Sequence, residues 1–179
     1  MPDTITLDAH GLHVTMAAQP VTVQAYKTYL QAADLPTPRP LAHPDSLATA
    51  VTYVSQVDAL AYLRWLGVRE GRSYRLPAMN ELLELYAEDA VDGINPEMWP
   101  HTHDRRPELR GGLKAHYLCE WTAEVEAIVQ PGAPDRTRVL GSVFYPPWLR
   151  EGSNASHVQA ALLASEGYSF ITFRAARDL

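Results

Sequence analysis

Cysteine is almost missing from this chain, in which Cys119 is the single example among 179 residues. One cysteine excludes an intramolecular disulfide and any cluster of thiolate ligands. Long apolar runs are also missing, since no stretch approaches the roughly 20 residues that a membrane-spanning helix needs. The N-terminal residues lack the basic and then apolar order of a secretory signal. We therefore expect a cytoplasmic protein that has no membrane partner.

Positive charge is scarce as well. The chain has 15 Lys and Arg residues against 21 Asp and Glu residues, so its formal net charge is −6. The densest basic stretches, Arg69–Arg75 and Arg105–Arg110, are interrupted by acidic residues such as Glu70 and Glu108. Because proteins bind nucleic acid by neutralising phosphates with a basic surface, this composition argues against a nucleic-acid partner.

The strongest structural pattern lies in the middle of the chain, over residues 51–86. Ser55 and Asp58 form a capping box, in which the hydroxyl accepts from a helix amide and the carboxylate turns back to the cap. An apolar stripe follows, and Gly67 is the predicted end of that helix. Pro77 is predicted to open the next helix, because its missing amide proton costs nothing there.

Weaker patterns complete the chain. Thr22 precedes a third helical stripe, and alternating residues predict strands elsewhere. The predicted elements are a hairpin over 5–17, strands over 117–121 and 137–143, a largely irregular stretch over 144–167, and a closing strand over 168–176. Two or three helices with many short strands predict one α+β domain over residues 1–179.

Several motifs, in this order, resemble the formylglycine-generating enzyme family, also called sulfatase-modifying factors. The resemblance covers residues 20–177. The motifs are Pro20-Val21-Thr22, Val54-Ser55 with Asp58-Ala59-Leu60-Ala61-Tyr62 and Trp65-Leu66-Gly67, Tyr74-Arg75-Leu76-Pro77 with Glu81, Glu120-Trp121-Thr122, Val139-Leu140-Gly141-Ser142, and Phe173-Arg174-Ala175-Ala176-Arg177.

The resemblance implies a C-type-lectin-like fold, in which helices pack on small, twisted, mainly antiparallel sheets. The oxidases of the family bind copper through two cysteines near the C-terminus, but residues 143–177 contain no cysteine. The family also holds calcium before its E-W-T strand, where this chain has Leu113 in place of an expected Asn and Lys114 beside it. We therefore expect no cofactor and no formylglycine-generating activity.

Two further expectations concern the core. Trp65 and Trp121 are large apolar side chains suited to joining the helices to the sheet. Arg75 and Glu120 are candidates for buried pairing. Because the calcium site of the family is expected to be lost, Glu120 is expected to be a structural acceptor. The stripe residues Tyr26, Tyr29, Leu63 and Leu82 are assigned to the core.

The best candidate for a binding surface is the segment 144–151, where aromatic residues and two prolines precede Arg150. Aromatic rings give contact area at low entropic cost, and proline reduces what must be ordered on binding. Filling the core or covering a sheet edge is the alternative for Phe144, Tyr145 and Trp148. The predicted ligand-binding residues, for an unknown ligand or protein partner, are Trp99, His101, His103, Tyr145, Trp148, Arg150 and His157.

Two other functions stay open from the sequence. His101 and His103, with Asp104 nearby, could begin a non-haem iron or zinc site of a metal-dependent enzyme, which His116 or His157 would complete. The same surface could instead be that of a variable ligand-binding protein of a diversity-generating retroelement. The leading hypothesis is a non-catalytic binding domain.

Overall fold

The computed structural model describes residues 4–42, 47, 49–87, 108–109, 113–114, 119–129, 137–144 and 159–179. These residues contain helices and short strands in mixed order, so the predicted α+β class is confirmed. In chain order the elements are β1 (Thr4–Ala9), β2 (Leu12–Ala17), α1 (Val23–Ala32), α2 (Arg39–Ala42), α3 (Gln56–Glu70), α4 (Met79–Ala87), β3 (Glu108–Leu109), β4 (Leu113–Lys114), β5 (Cys119–Val129), β6 (Thr137–Phe144), β7 (Gln159–Leu163), β8 (Ile171–Thr172) and β9 (Ala176–Asp178).

The strands form two main sheets. One has three strands in the order β1-β2-β9, and the other has four in the order β7-β6-β5-β8, while β3 and β4 pair with each other. All these pairs are antiparallel except β5 with β8. Of the helices in the described part of the chain, none is long and apolar enough to cross a bilayer.

The predicted N-terminal hairpin is confirmed. β1 pairs with β2 along its whole length, from Thr4 opposite Ala17 to Ala9 opposite Leu12. The turn residues His10 and Gly11 have φ angles of 53° and 79°. Two successive positive φ angles make the tight turn whose twist matches that of antiparallel strands. Among the strands that the structure describes, β1 pairs with β2 alone, so the hairpin lies at the edge of this sheet.

The predicted starts of α1 and α3 are also confirmed, but the predicted end of α3 is wrong. Ser55 Oγ accepts from the Asp58 amide at 3.0 Å and donates to the Asp58 carboxylate at 2.7 Å. The helix α3 then continues past Gly67 and ends at Gly71, whose φ of 65° is left-handed. Gly67 is buried, and a Cβ there would lie 2.6 Å from the Arg72 carbonyl oxygen. Its small size permits the returning chain to pack against the helix, which the sequence pattern did not reveal.

The helix α4 begins at Met79 and not at Pro77. The Ala78 amide donates to Glu81 Oε2 at 2.7 Å, which caps this end of the helix. Leu82 is buried, as predicted, and Leu85 is buried on the same helix. Leu83 is 41% exposed, so the apolar face of α4 does not include all of its leucines.

The C-terminal strand predicted over 168–176 is divided into two. β8 pairs with β5 in the four-stranded sheet, whereas β9 pairs with β2 in the three-stranded sheet. The connecting Phe173 and Arg174 are fully buried, so this segment has no solvent-facing side that would mark its boundaries. The stretch predicted as largely irregular over 144–167 contains β7, which pairs with β6.

The core lies between the helices and the sheets. Trp121 on β5 is fully buried, and its Nε1 donates to the Val54 carbonyl at 2.9 Å, just before α3. This contact confirms the prediction that Trp121 joins helix to sheet. Tyr26, Tyr62 and Phe173 pack with ring centroids 5.5–6.3 Å apart.

Candidate functional site

The predicted binding residues all lie outside the described part of the chain. The residues concerned are Trp99, His101, His103, Tyr145, Trp148, Arg150 and His157, together with Asp104 and His116 of the alternative metal site. They remain predictions. Phe144, by contrast, is described and fully buried, so the alternative that it fills the core is the correct one for this residue.

The structure does define where the segment 145–158 is attached. Phe144 ends β6 and pairs with Gln159, which begins β7. On its other side Phe144 pairs with Glu120 near the start of β5. Both ends of the segment are therefore fixed to adjacent positions at one end of the four-stranded sheet. Phe144 and Glu120 are fully buried there, so the attachment point is part of the rigid core.

Glu120 forms a buried ion pair, but its partner is Arg174 and not the predicted Arg75. Arg174 Nε donates to Glu120 Oε2 at 2.6 Å, and Nη2 donates to Oε1 at 2.7 Å. Both side chains are 0% exposed. Arg174 Nη1 also donates to the carbonyl oxygens of Ala17 and Ala18, each at 3.2 Å. The expected role of Glu120 as a structural acceptor is confirmed.

Arg75 belongs to a second, more exposed cluster. Its guanidinium donates to both carboxylate oxygens of Glu81, at 2.8 and 2.7 Å, and to Asp178 at 2.6 and 3.0 Å. These hydrogen bonds and charges raise the pKa of Arg75, with Glu81 the largest cause. The sequence could not separate the two clusters, because Glu81 and Glu120 both belong to resembling motifs and either could meet an arginine.

Cys119 is buried at the start of β5, beside Glu120. Burial raises the pKa of the Cys119 thiol, and the neighbouring charge of Glu120 raises it further. A protonated, inaccessible thiol is neither a nucleophile nor a ready metal ligand. Cys119 therefore packs in the core and is not suited to act as a nucleophile or a metal ligand.

No group of three or more His, Cys, Asp or Glu side chains that could hold a metal ion occurs among the described residues. Two of the histidines are described. His10 lies 2.9 Å from Glu84, and His13 lies 2.6 Å from Asp8, with both imidazoles largely exposed. Both histidines therefore lie at the surface.

The described residues also form a cleft that the sequence reasoning missed. It has a volume of about 540 Å³ and lies between α1 and α3, beside the end of β2 and Ala175. Ala25 and Thr28 line it from α1, while Tyr62, Trp65 and Leu66 line it from α3. Its size is within the range of small-molecule sites, about 300–1,000 Å³.

Arg69 and Glu70 bring charge to this α1–α3 cleft. The Arg69 guanidinium carbon lies 5.4 Å from the centroid of the Trp65 ring, which is within cation–π distance. Glu70 accepts from the Tyr74 hydroxyl at 2.5 Å, and that hydrogen bond lowers the pKa of Glu70. The carboxylate is therefore ionised at neutral pH.

Tyr62 and Trp65 have different roles in the floor of the cleft. Tyr62 is buried, and burial raises its pKa to about 12, so it stays a neutral phenol. Trp65 is only half-buried and packs on the rings of Tyr29 and Tyr62. Arg69 follows Trp65 by four residues, a spacing that places both on one helix face. That spacing is the sequence signal that could have indicated the cleft.

Comparison with known proteins shows the fold alone. No protein-family model matches the chain, and no curated protein matches it. PvdO from Pseudomonas aeruginosa is similar with a TM-score of 0.60 and 16% identity, over 93% of this chain and 80% of its own. CarF is similar with a TM-score of 0.56 and 13% identity, over 99% of this chain and 96% of its own.

Proposed function

We propose that this chain is a non-catalytic binding domain of the sulfatase-modifying-factor type, with a C-type-lectin-like fold. Its ligand or protein partner is bound by the surface that the segments around Trp99 and Trp148 supply. The observation that carries the proposal is the attachment of segment 145–158 to the paired residues Phe144 and Gln159. Long connections anchored on a rigid scaffold commonly serve binding.

The positions of the resembling motifs support the scaffold part of the proposal. Ser55 caps α3, Trp121 is hydrogen-bonded to the segment before that helix, and Glu120 holds Arg174. These side chains are buried and serve the packing of helices on sheets. The motifs thus specify architecture, which a domain can retain after losing the oxidase chemistry.

The state of Cys119 supports the non-catalytic part. Copper(I) chemistry needs soft thiolate ligands, and the chain has only this one cysteine. Its thiol is buried, and burial raises its pKa. A copper-activating pair of thiolates therefore cannot be assembled within one chain.

The composition of segment 145–158 supports a role in binding a ligand or protein partner. Tyr145 and Trp148 flank two prolines, and Arg150 follows. Aromatic and arginine side chains dominate the binding energy of many interfaces. A charged planar group at the end of an apolar stretch would orient a partner as well as hold it.

The test compares two matched double variants in tag-free protein. Trp148→Ala with Arg150→Ala removes the predicted contacts, while Val68→Ala with Arg64→Ala removes exposed side chains from α3. A partner captured by the wild-type protein is purified, and its dissociation constant is measured for each variant. We expect about tenfold or weaker binding for the first variant and an unchanged constant for the second.

Thermal unfolding of the same proteins separates binding from folding. Loss of binding with an unchanged melting temperature supports the proposal. A collapse of the melting temperature in the Trp148 and Arg150 variant would place those residues in the core and contradict it.

A further inference from the structure

The α1–α3 cleft is lined by described residues outside the segments around Trp99 and Trp148. Its floor is apolar, because Tyr62, Trp65 and Leu66 face it from one helix and Ala25 from the other. Trp65 is half-buried, so part of its ring is available to a ligand. A flat apolar group would gain most here, since it could pack against the exposed part of the Trp65 ring and displace water.

The charge that could orient such a ligand comes from Arg69. This side chain is exposed, and among the residues that the structure describes it makes no salt bridge. Its guanidinium rests over the Trp65 ring instead. A planar guanidinium held at the edge of an apolar floor matches a carboxylate, which it binds through two parallel hydrogen bonds.

The start of α1, which also lines the cleft, does not offer a competing anion site. The Val23 amide donates to the Thr49 carbonyl, the Gln24 amide donates to the Leu47 carbonyl, and the Ala25 amide donates to Thr22 Oγ1. With these amides occupied, the helix N-terminus has no donors left there for an anion. Recognition of a negative charge therefore depends on Arg69.

Glu70 also lines the cleft, where its carboxylate accepts from the Tyr74 hydroxyl at 2.5 Å. Arg69 is the cationic side chain among the described residues that line the cleft. We propose that the α1–α3 cleft binds a small carboxylate with a flat apolar body, which packs against the exposed part of Trp65 and pairs with Arg69. This site uses none of the residues predicted for the surface around Trp99 and Trp148.

The probe for this proposal is naphthalene-2-carboxylate, titrated into tag-free protein at pH 8 by calorimetry. Tags are removed because Thr4, where β1 begins, is paired with the cleft residue Ala17. We expect saturable binding with one ligand per chain. Naphthalene-2-carboxamide, which lacks the charge, should bind about tenfold more weakly or worse.

The variants locate the site. Arg69→Gln should weaken binding of the carboxylate by about tenfold or more, because a charge-assisted hydrogen bond is lost. Arg64→Gln is the matched control, since Arg64 is exposed on the same helix outside the cleft. Ala25→Leu, which fills the cleft without changing its charge, should also weaken binding, and Trp148→Ala should leave it unchanged.

Four results would overturn the proposal. The first is no binding of the carboxylate to the wild-type protein at millimolar concentration. The second is equal affinity of the Arg69→Gln and Arg64→Gln variants. The third is binding of naphthalene-2-carboxamide as tight as that of the carboxylate. The fourth is weaker carboxylate binding by Trp148→Ala, which would show that the site depends on the surface around Trp148.

Discussion

We expect replacement of Arg174 by methionine to destabilise the protein strongly. Arg174 lies between β8 and β9 and joins the two main sheets, because it donates to Glu120 on β5 and to the carbonyl oxygens of Ala17 and Ala18 at the end of β2. Methionine keeps much of the apolar stem but removes all of these donors. The Glu120 carboxylate would then stay buried without its guanidinium partner.

The size of the effect follows from burial. Both members of the pair are 0% exposed, so water cannot replace the lost partner. Removal of one member of such a pair costs about 3–5 kcal/mol. For a chain of this length 1 kcal/mol corresponds to about 2–4 °C in melting temperature, so we expect a decrease of roughly 6–20 °C. A Glu120→Met and Arg174→Met double variant should be more stable than Arg174→Met, since no buried charge remains.

Urea unfolding of the wild type, both single variants and the double variant measures the coupling between the two side chains. Arg64→Met is the control, because this exposed residue should change the free energy of unfolding by less than about 0.5 kcal/mol. The reasoning fails if the two single effects add in the double variant. It also fails if Arg174→Met unfolds like the Arg64→Met control.

Three further predictions concern the pH dependence of stability, packing and metal content. Burial and then Glu120 raise the pKa of Cys119, so its thiol stays protonated in the folded state but ionises in the unfolded chain above about pH 8.5. Between about pH 7.5 and 9.5 the free energy of unfolding should therefore fall by about 1.4 kcal/mol more in the wild type than in Cys119→Ala. The same pH dependence of the free energy of unfolding in both proteins would contradict this prediction. Gly141→Ala should lower the free energy of unfolding, measured in urea, by about 1–3 kcal/mol, because the added Cβ would lie 2.6 Å from Gln56 Oε1. An unchanged free energy of unfolding would mean that the Gln56 side chain can move aside. Elemental analysis of tag-free protein should find iron, copper and zinc far below one ion per chain, whereas a near-stoichiometric ion lost in His101→Ala and His103→Ala would favour the metal-dependent enzyme.

The predictable parts of the fold are those held by local contacts. The caps at Thr22 and Ser55 each join residues three apart in the sequence, and the tight turn at His10 and Gly11 needs only its own backbone angles. The division of the C-terminal strand could not be predicted, because it depends on distant partners. β8 pairs with β5 in one sheet, and β9 pairs with β2 in the other.

The two candidate sites also differ in how far the sequence predicts them. Composition alone indicated an aromatic and arginine-bearing segment around Trp148, and the structure adds the paired residues to which that segment is attached. The α1–α3 cleft was not predicted, because the sequence predicts a core position for Trp65. The partial exposure of Trp65 depends on how α1 packs. The binding experiments described above test whether each site binds a ligand or partner.

By itself the sequence determined the α+β class, the starts of α1 and α3 and the absence of a thiolate pair, because these depend on residue types and on contacts within a few positions. Only the tertiary structure decided that Glu120 pairs with Arg174, 54 residues away, while Arg75 pairs with Glu81 and Asp178. Charge identity leaves such choices open. They are settled by which side chains the packing of helices on sheets brings within hydrogen-bond distance and removes from water.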